Sequence, residues 1–330
     1  MSSIDAAPPK TPSRAIGFDL IGPNPFASGS RLSLEEPGDE APPWATRSKA
    51  KLRRRSLFRP EMIQTSDLSM SADNTLPLCS PAAPSAQIPM VRLSDLSPGQ
   101  RLSLEGIGIR SFYLGISLTL SAVITISTLL FTSSPLWRIP FFIAALSTFH
   151  FLEFWTTAKY NTAVANVDSF LLTANWPSYQ IAHIAAMLEC LVTNQLFPNR
   201  AWAPFYTGHI LLLLGCLWVT TGQIARSAAM IQAGRSFNHV IQVKKKDDHE
   251  LVTTGLYSFV RHPSYSGFFF WGIGTQLVLG NPICFVAYTL VLWRFFSTRI
   301  KHEEKVLLNH YGEAYKNYKE HVGSGIPLVW

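Results

Sequence analysis

Charge and cysteine are scarce in this sequence. Only 15% of its 330 residues are charged, and its four cysteines, Cys79, Cys190, Cys216 and Cys284, are widely scattered and mostly lie in apolar runs. That pattern excludes a disulfide-stapled secreted fold, and with no C-x-x-C pair no metal site is expected. The first 30 residues lack the basic start and apolar core of a cleaved secretory signal. They carry Asp5 and Asp19, unlike a transit peptide, so membrane insertion is expected to use later segments.

What is present is unevenly placed. Residues 1–105 hold 14 of the 22 prolines, 12 Lys/Arg against 11 Asp/Glu, and one of nine tryptophans. They have no sustained apolar period, so burial cannot repay the entropy of ordering them, and disorder is expected there. Within them Arg47, Lys49, Lys51, Arg53, Arg54, Arg55 and Arg59 form a run without an acid. Such a run suits anionic lipid at a cytoplasmic membrane face or is simply solvated, and no nucleic-acid partner is expected.

The remaining residues keep 16 basic and 10 acidic side chains with eight tryptophans and long apolar runs. That balance is not a soluble domain's. Since about 20 apolar residues cross the hydrocarbon core as a helix, spans are expected at 112–132, 136–155, 179–197 and 205–224. A polar loop, 226–261, then precedes a hairpin of shorter arms, 265–279 and 283–296. The fold class expected is all-α, a polytopic membrane helical bundle of about six spanning helices with a cytoplasmic-facing site, preceded by a long disordered region. Four spans fall in 106–225; loop, hairpin and C-terminal helix fall in 226–330. Lys and Arg collect in the loop and in the tail after 298, which places both, and the N-terminal arm, in the cytoplasm.

Polar groups collect on either side of the last hairpin. The first cluster runs Ser236-Phe237-Asn238-His239, Gln242, His249-Glu250-Leu251-Val252-Thr253-Thr254-Gly255-Leu256-Tyr257 and Arg261-His262-Pro263-Ser264-Tyr265. Pro263 lacks an amide hydrogen and suits the first turn of a helix, whose free N–H groups would offer an anion or polar-ligand site. The second cluster is Arg294 to Arg299 with Glu303 and Glu304. Arg299 and Glu303 share a helix face, either as an i,i+4 ion pair or as a pair aimed into a pocket. Glu153 and Glu189, within or near spans, are read as helix-to-helix hydrogen-bonding groups rather than transport or catalytic residues.

These clusters, with Gly274-Thr275-Gln276, Asn281-Pro282, Trp293-Arg294-Phe295-Phe296, Tyr311-Gly312, Tyr315 and Gly325-Ile326-Pro327, resemble the isoprenylcysteine carboxyl methyltransferases. The likeness covers about residues 236–330 and reaches back to Glu153-Phe154 and Asp168-Ser169-Phe170-Leu171-Leu172. It implies an endoplasmic reticulum membrane enzyme that methylates the carboxylate of a farnesylated or geranylgeranylated cysteine, using S-adenosyl-L-methionine. Substrates would be prenylated, CaaX-processed proteins such as small GTPases. Carried over, the cofactor site takes Gln242, His249, Glu250, Leu251, Val252, Tyr257, His262, Pro263, Ser264, Tyr265 and Glu303, while Arg299 faces the prenylcysteine.

The run from Lys244 to Asp248 is read as a solvated insertion. An α-carboxyl group, with a pKa of about 3.5, is ionised already, so no general base is needed. Phe268, Phe269, Phe270, Trp271, Phe285, Trp293, Phe295 and Phe296 are read as an interfacial belt or a lipid-side entrance. A phospholipid methyltransferase is the nearest rival reading; a sterol reductase and a non-catalytic scaffold or transporter are remoter ones. The chain ends Leu328-Val329-Trp330 with no C-a-a-X box, so it is not expected to be its own substrate.

Overall fold

The computed structural model describes residues 92–197, 207–243 and 249–330. The basic run at 47–59, the turn at 198–200 and the insertion at 244–248 lie outside the described residues. Eight α-helices are described: α1 (Leu104–Phe131), α2 (Arg138–Tyr160), α3 (Ser178–Leu196), α4 (Thr207–Ala233), a single turn α5 (Leu256–Phe259), α6 (Pro263–Leu279), α7 (Pro282–Tyr311) and α8 (Glu313–His321).

Six long helices stand where six spans were expected. Four stretches, Leu104–Phe131, Pro135–Tyr160, Thr207–Ser236 and Pro282–Tyr311, are long and apolar enough to cross a bilayer. α6 has 17 residues, about 25 Å at 1.5 Å per residue, and 13 of them are buried, so it is enclosed by its neighbours. The fold also reaches further towards the N-terminus than the boundary expected at 105. Ser103 caps α1 by accepting the Gly106 N–H at 3.0 Å, and Arg101 pairs with Asp168 at 2.8 Å.

α6 can be enclosed because α4 meets it backbone to backbone. A Cβ at Gly222 would lie 2.6 Å from the Gly267 carbonyl oxygen, and one at Gly215 3.0 Å from that of Gly274. Gly215 and Gly222 on α4, like Gly267 and Gly274 on α6, are seven residues apart, two helical turns, so the four glycines line one antiparallel seam. Small residues permit such approach where lipid gives no hydrophobic drive for helices to associate.

The ends are fixed by polar groups. Pro263 is the first residue of α6, as its missing N–H allows. Glu189 of α3 caps α7, its carboxylate accepting the Ile283 and Cys284 N–H groups at 2.7 and 2.6 Å. Asn281 donates to the Ala186 carbonyl (2.8 Å) and to Gln276 Oε1 (3.0 Å), which ties the α6–α7 turn to α3. Glu189 is thus an interhelical hydrogen-bonding group, and so is Glu153, which accepts from Arg226 of α4. Phe269, Trp271 and Phe296 are buried core residues, with Trp271 stacked on Phe149 at 4.7 Å between centroids. These three are packed inside and form neither a belt nor an entrance, whereas Phe268, Phe270, Phe285, Trp293 and Phe295 are only partly buried.

Candidate active site

The loop between α4 and α6 is pinned at both ends. Asn161 at the end of α2 donates to the carbonyls of Arg235 (3.2 Å) and Phe237 (2.8 Å). Further on, the Gln232 side chain donates to the Thr254 carbonyl and accepts the Leu256 N–H, and Gly255 between them has φ +56°, where an added Cβ would strike that side chain. Arg261 and His262 then donate their N–H groups to the Gly323 and Ser324 carbonyls at 2.8 and 3.2 Å, which brings the C-terminal tail under the loop.

These anchors enclose a cavity of about 140 Å³. Gln242, His249, Glu250, Leu251, Val252, Tyr257, His262, Ser264, Tyr265 and Glu303 all line it. Pro263 does not; it starts the helix that carries Ser264 and Tyr265. The expected row of free N–H groups on α6 is smaller than its sequence suggested. The Tyr265 and Ser266 N–H groups both donate to the His262 carbonyl at 3.0 Å.

Arg299 and Glu303 make no direct ion pair among the described residues; Tyr265 stands between them. Its hydroxyl donates to Glu303 Oε2 at 2.5 Å and accepts from Arg299 Nε at 2.8 Å. Arg299 Nη2 donates to the His239 carbonyl at 2.5 Å, and its guanidinium lies 5.4 Å from the centre of the Tyr265 ring. Arg299 itself does not line the cavity; two of its nitrogens hold it behind Tyr265, which joins it to Glu303.

Two buried charge clusters support this wall. Arg226 of α4 pairs with Glu153 of α2 through two bonds of 2.7 and 2.8 Å and reaches Ser264 Oγ at 2.8 Å. Glu304 receives Arg261 at 2.8 Å, Lys319 at 2.6 Å and His262 Nε2 at 3.3 Å. Buried carboxylates are tolerated when their lone pairs are taken by such donors. Between these clusters, His239 has its pKa lowered to about 4 by burial, opposed by Glu153 and aided by Arg226 and Arg299. It is neutral at pH 7. Burial beside the Glu303 charge likewise raises the Tyr257 phenol, which stays protonated.

The isoprenylcysteine carboxyl methyltransferase (ICMT) family model matches residues 213–309, which include the glycine seam, the loop, Arg299 and Glu303. The protein-S-isoprenylcysteine O-methyltransferase of Saccharomyces cerevisiae is 51% identical over 189 residues, 57% of this chain and 79% of that protein. The Homo sapiens protein of that name is 40% identical over 224 residues, 68% of this chain and 75% of that one. The chain belongs to the ICMT family. A solved structure, that of the eukaryotic intramembrane Ras methyltransferase ICMT, has a TM-score of 0.62 at 36% identity and covers 68% of this chain and 77% of that chain. This ICMT family member is accordingly a multi-pass membrane protein.

Reading the sequence alone missed part of the ICMT cavity. Val306, Leu307, His310 and Tyr311 line it at three, four, seven and eight residues beyond Glu303, a helical stripe that could have been read from spacing. Tyr315 and Tyr318 also line it, brought there by α8; no local pattern signals that, whereas Arg261, which lines it too, belonged to the expected cluster. Glu304, beside the expected ligand residue Glu303, points away into the Arg261 cluster.

Proposed function

We infer that this ICMT family member methylates the C-terminal carboxylate of an isoprenylated cysteine in CaaX-processed proteins. The observation that carries the reading is the Arg299–Tyr265–Glu303 relay, of which Tyr265 and Glu303 line the cavity and Arg299 stands behind them. Arg299 Nη1 makes no hydrogen bond among the described residues, so the held guanidinium still has a donor to offer a carboxylate. A planar guanidinium orients such an anion better than an ammonium would.

S-adenosyl-L-methionine fits the donor set: Glu303 and Glu250 are acidic partners for a cation, and Leu251, Val252, Val306 and Leu307 offer an apolar wall for a base. When bound, it supplies an electrophilic methyl group. Gln242, His249, Tyr257, His262, Pro263, Ser264 and Tyr265 complete the proposed cofactor site, Pro263 by setting the start of α6. The substrate carboxylate is ionised at neutral pH, so the residues need to position and partly desolvate it rather than remove a proton.

A C15 or C20 isoprenoid favours lipid at about 0.8 kcal/mol per buried CH₂, whereas the donor is water-soluble. That division supports an enzyme of the endoplasmic reticulum membrane with its site and termini towards the cytosol, acting on prenylated proteins such as small GTPases. The basic loop and tail support the same orientation.

The test is ester formation. Purified protein in membranes is incubated with methyl-labelled S-adenosylmethionine and N-acetyl-S-farnesylcysteine. Wild type should give a base-labile methyl ester, and Arg299→Ala and Glu303→Ala should lower kcat/KM by about 10²-fold or more. Folded wild type that binds the donor yet makes no ester, but labels phospholipid, would overturn the reading in favour of lipid methylation.

A further inference from the structure

The last two turns of α2 present Glu153, Thr157 and Asn161, spaced by four, to the start of the loop. Thr157 and Glu153 approach the His239 ring, and Asn161 holds the backbone before it. Its Nε2 lies 3.1 Å from Thr157 Oγ1, its Nδ1 lies 3.6 Å from Glu153 Oε2, and its side chain is 11% exposed. It does not line the cavity, although its neighbours Asn238 and Val240 do. Its main-chain carbonyl faces the other way and accepts Arg299 Nη2.

We propose that His239 is a positioning residue, gripped by α2 through its ring so that its carbonyl aims Arg299 at the substrate carboxylate. This rests on the prenylcysteine reading above. Three observations carry it. The ring touches neither the cavity nor Arg299, so its contribution is transmitted through the backbone at 239. That backbone is fixed just before residue 239, because Asn161 holds the carbonyls at 235 and 237. Arg299 has a second holder, the Tyr265 hydroxyl, so losing the carbonyl would turn the guanidinium about that bond rather than free it. A misplacement of about 1 Å at a reacting group is enough to cost up to about 10²-fold.

The proposal predicts a split between the two ligands. His239→Ala should raise both the KM and the equilibrium Kd for N-acetyl-S-farnesylcysteine by about tenfold, while the Kd for S-adenosylmethionine changes less than about twofold. His239→Gln, which can still reach the Thr157 hydroxyl, should recover most of that loss. Thr157→Val, nearly isosteric, should raise the farnesylcysteine Kd by about threefold at an unchanged melting temperature. Unchanged farnesylcysteine binding in His239→Ala and Thr157→Val would overturn the proposal, as would equal losses for both ligands with a lowered melting temperature. Absence of ester from wild type would instead overturn the prenylcysteine reading, and the proposal with it, so the two failures are distinct.

Discussion

Between α4 and α6, four glycines let two backbones touch, whereas around the cavity charged side chains from distant parts of the chain hold loop, helix and tail together. The seam contains no polar side chain at its contact points and depends on the absence of Cβ atoms. The cavity wall tolerates buried charge because each carboxylate has several donors. The difference follows solvent: within lipid, where apolar burial gives no drive, close approach stabilises helix contacts, whereas at the polar border burying a paired charge fixes geometry.

Filling the seam should break it most severely. Gly222→Leu would drive a side chain into the Gly267 carbonyl and the Trp271 backbone, contacts that cannot yield without separating α4 from α6. A loss of at least about 3 kcal/mol is expected, read as failure to recover monodisperse protein in detergent. Gly108→Ala on α1, where nothing lies within 4 Å of the new Cβ, should fold normally and serves as the control.

The charged wall should fail next. Glu304→Ala leaves Arg261 buried without its carboxylate, at a cost of about 3–5 kcal/mol. Thermal unfolding should report that loss, together with reduced donor binding as His262 and the tail shift. If Glu304→Ala instead keeps its melting temperature and loses only activity, the cluster is part of the chemistry and the contrast with Glu303 fails.

A pH series sharpens the comparison because a buried imidazole stands behind the cavity wall and none at the glycine seam. His239 has a folded-state pKa of about 4 against an ordinary 6.5, so the unfolded chain takes up the proton first. Its stabilising contribution is complete above about pH 6.5 and is lost as pH falls towards 4. His239→Gln should make the stability profile less steep in that window. The smallest effect is expected from Lys319→Ala: this lysine also pairs with Glu304 but is 44% exposed, and the change should cost under about 1 kcal/mol in the same melting assay.

The contrast also explains what could be read from the chain beforehand. Apolar runs gave the six long helices, because each run reports its own helix whatever its neighbours do. The stretch from Ser236 to Tyr265, together with Glu303, marked residues that line the cavity, whereas Arg299 lies behind Tyr265. Adjacent acids were harder: Glu303 and Glu304 look equivalent in sequence, yet one reaches Tyr265 and the other Arg261. The aromatic residues of α6 read as a membrane belt because nothing local says that α4 covers them.

The sequence by itself determined the helical periods, the proline start of α6, the polar loop and the family motif. All of these are properties of residues within a few turns of one another. Only the tertiary structure decided that Tyr265 links Arg299 to Glu303, that Glu153 belongs to Arg226, and that Arg261 belongs to Glu304. The last two pairs lie 73 and 43 residues apart. Their union depends on how closely α4 can approach α6 and where the tail returns, and an isolated segment has no means of expressing either.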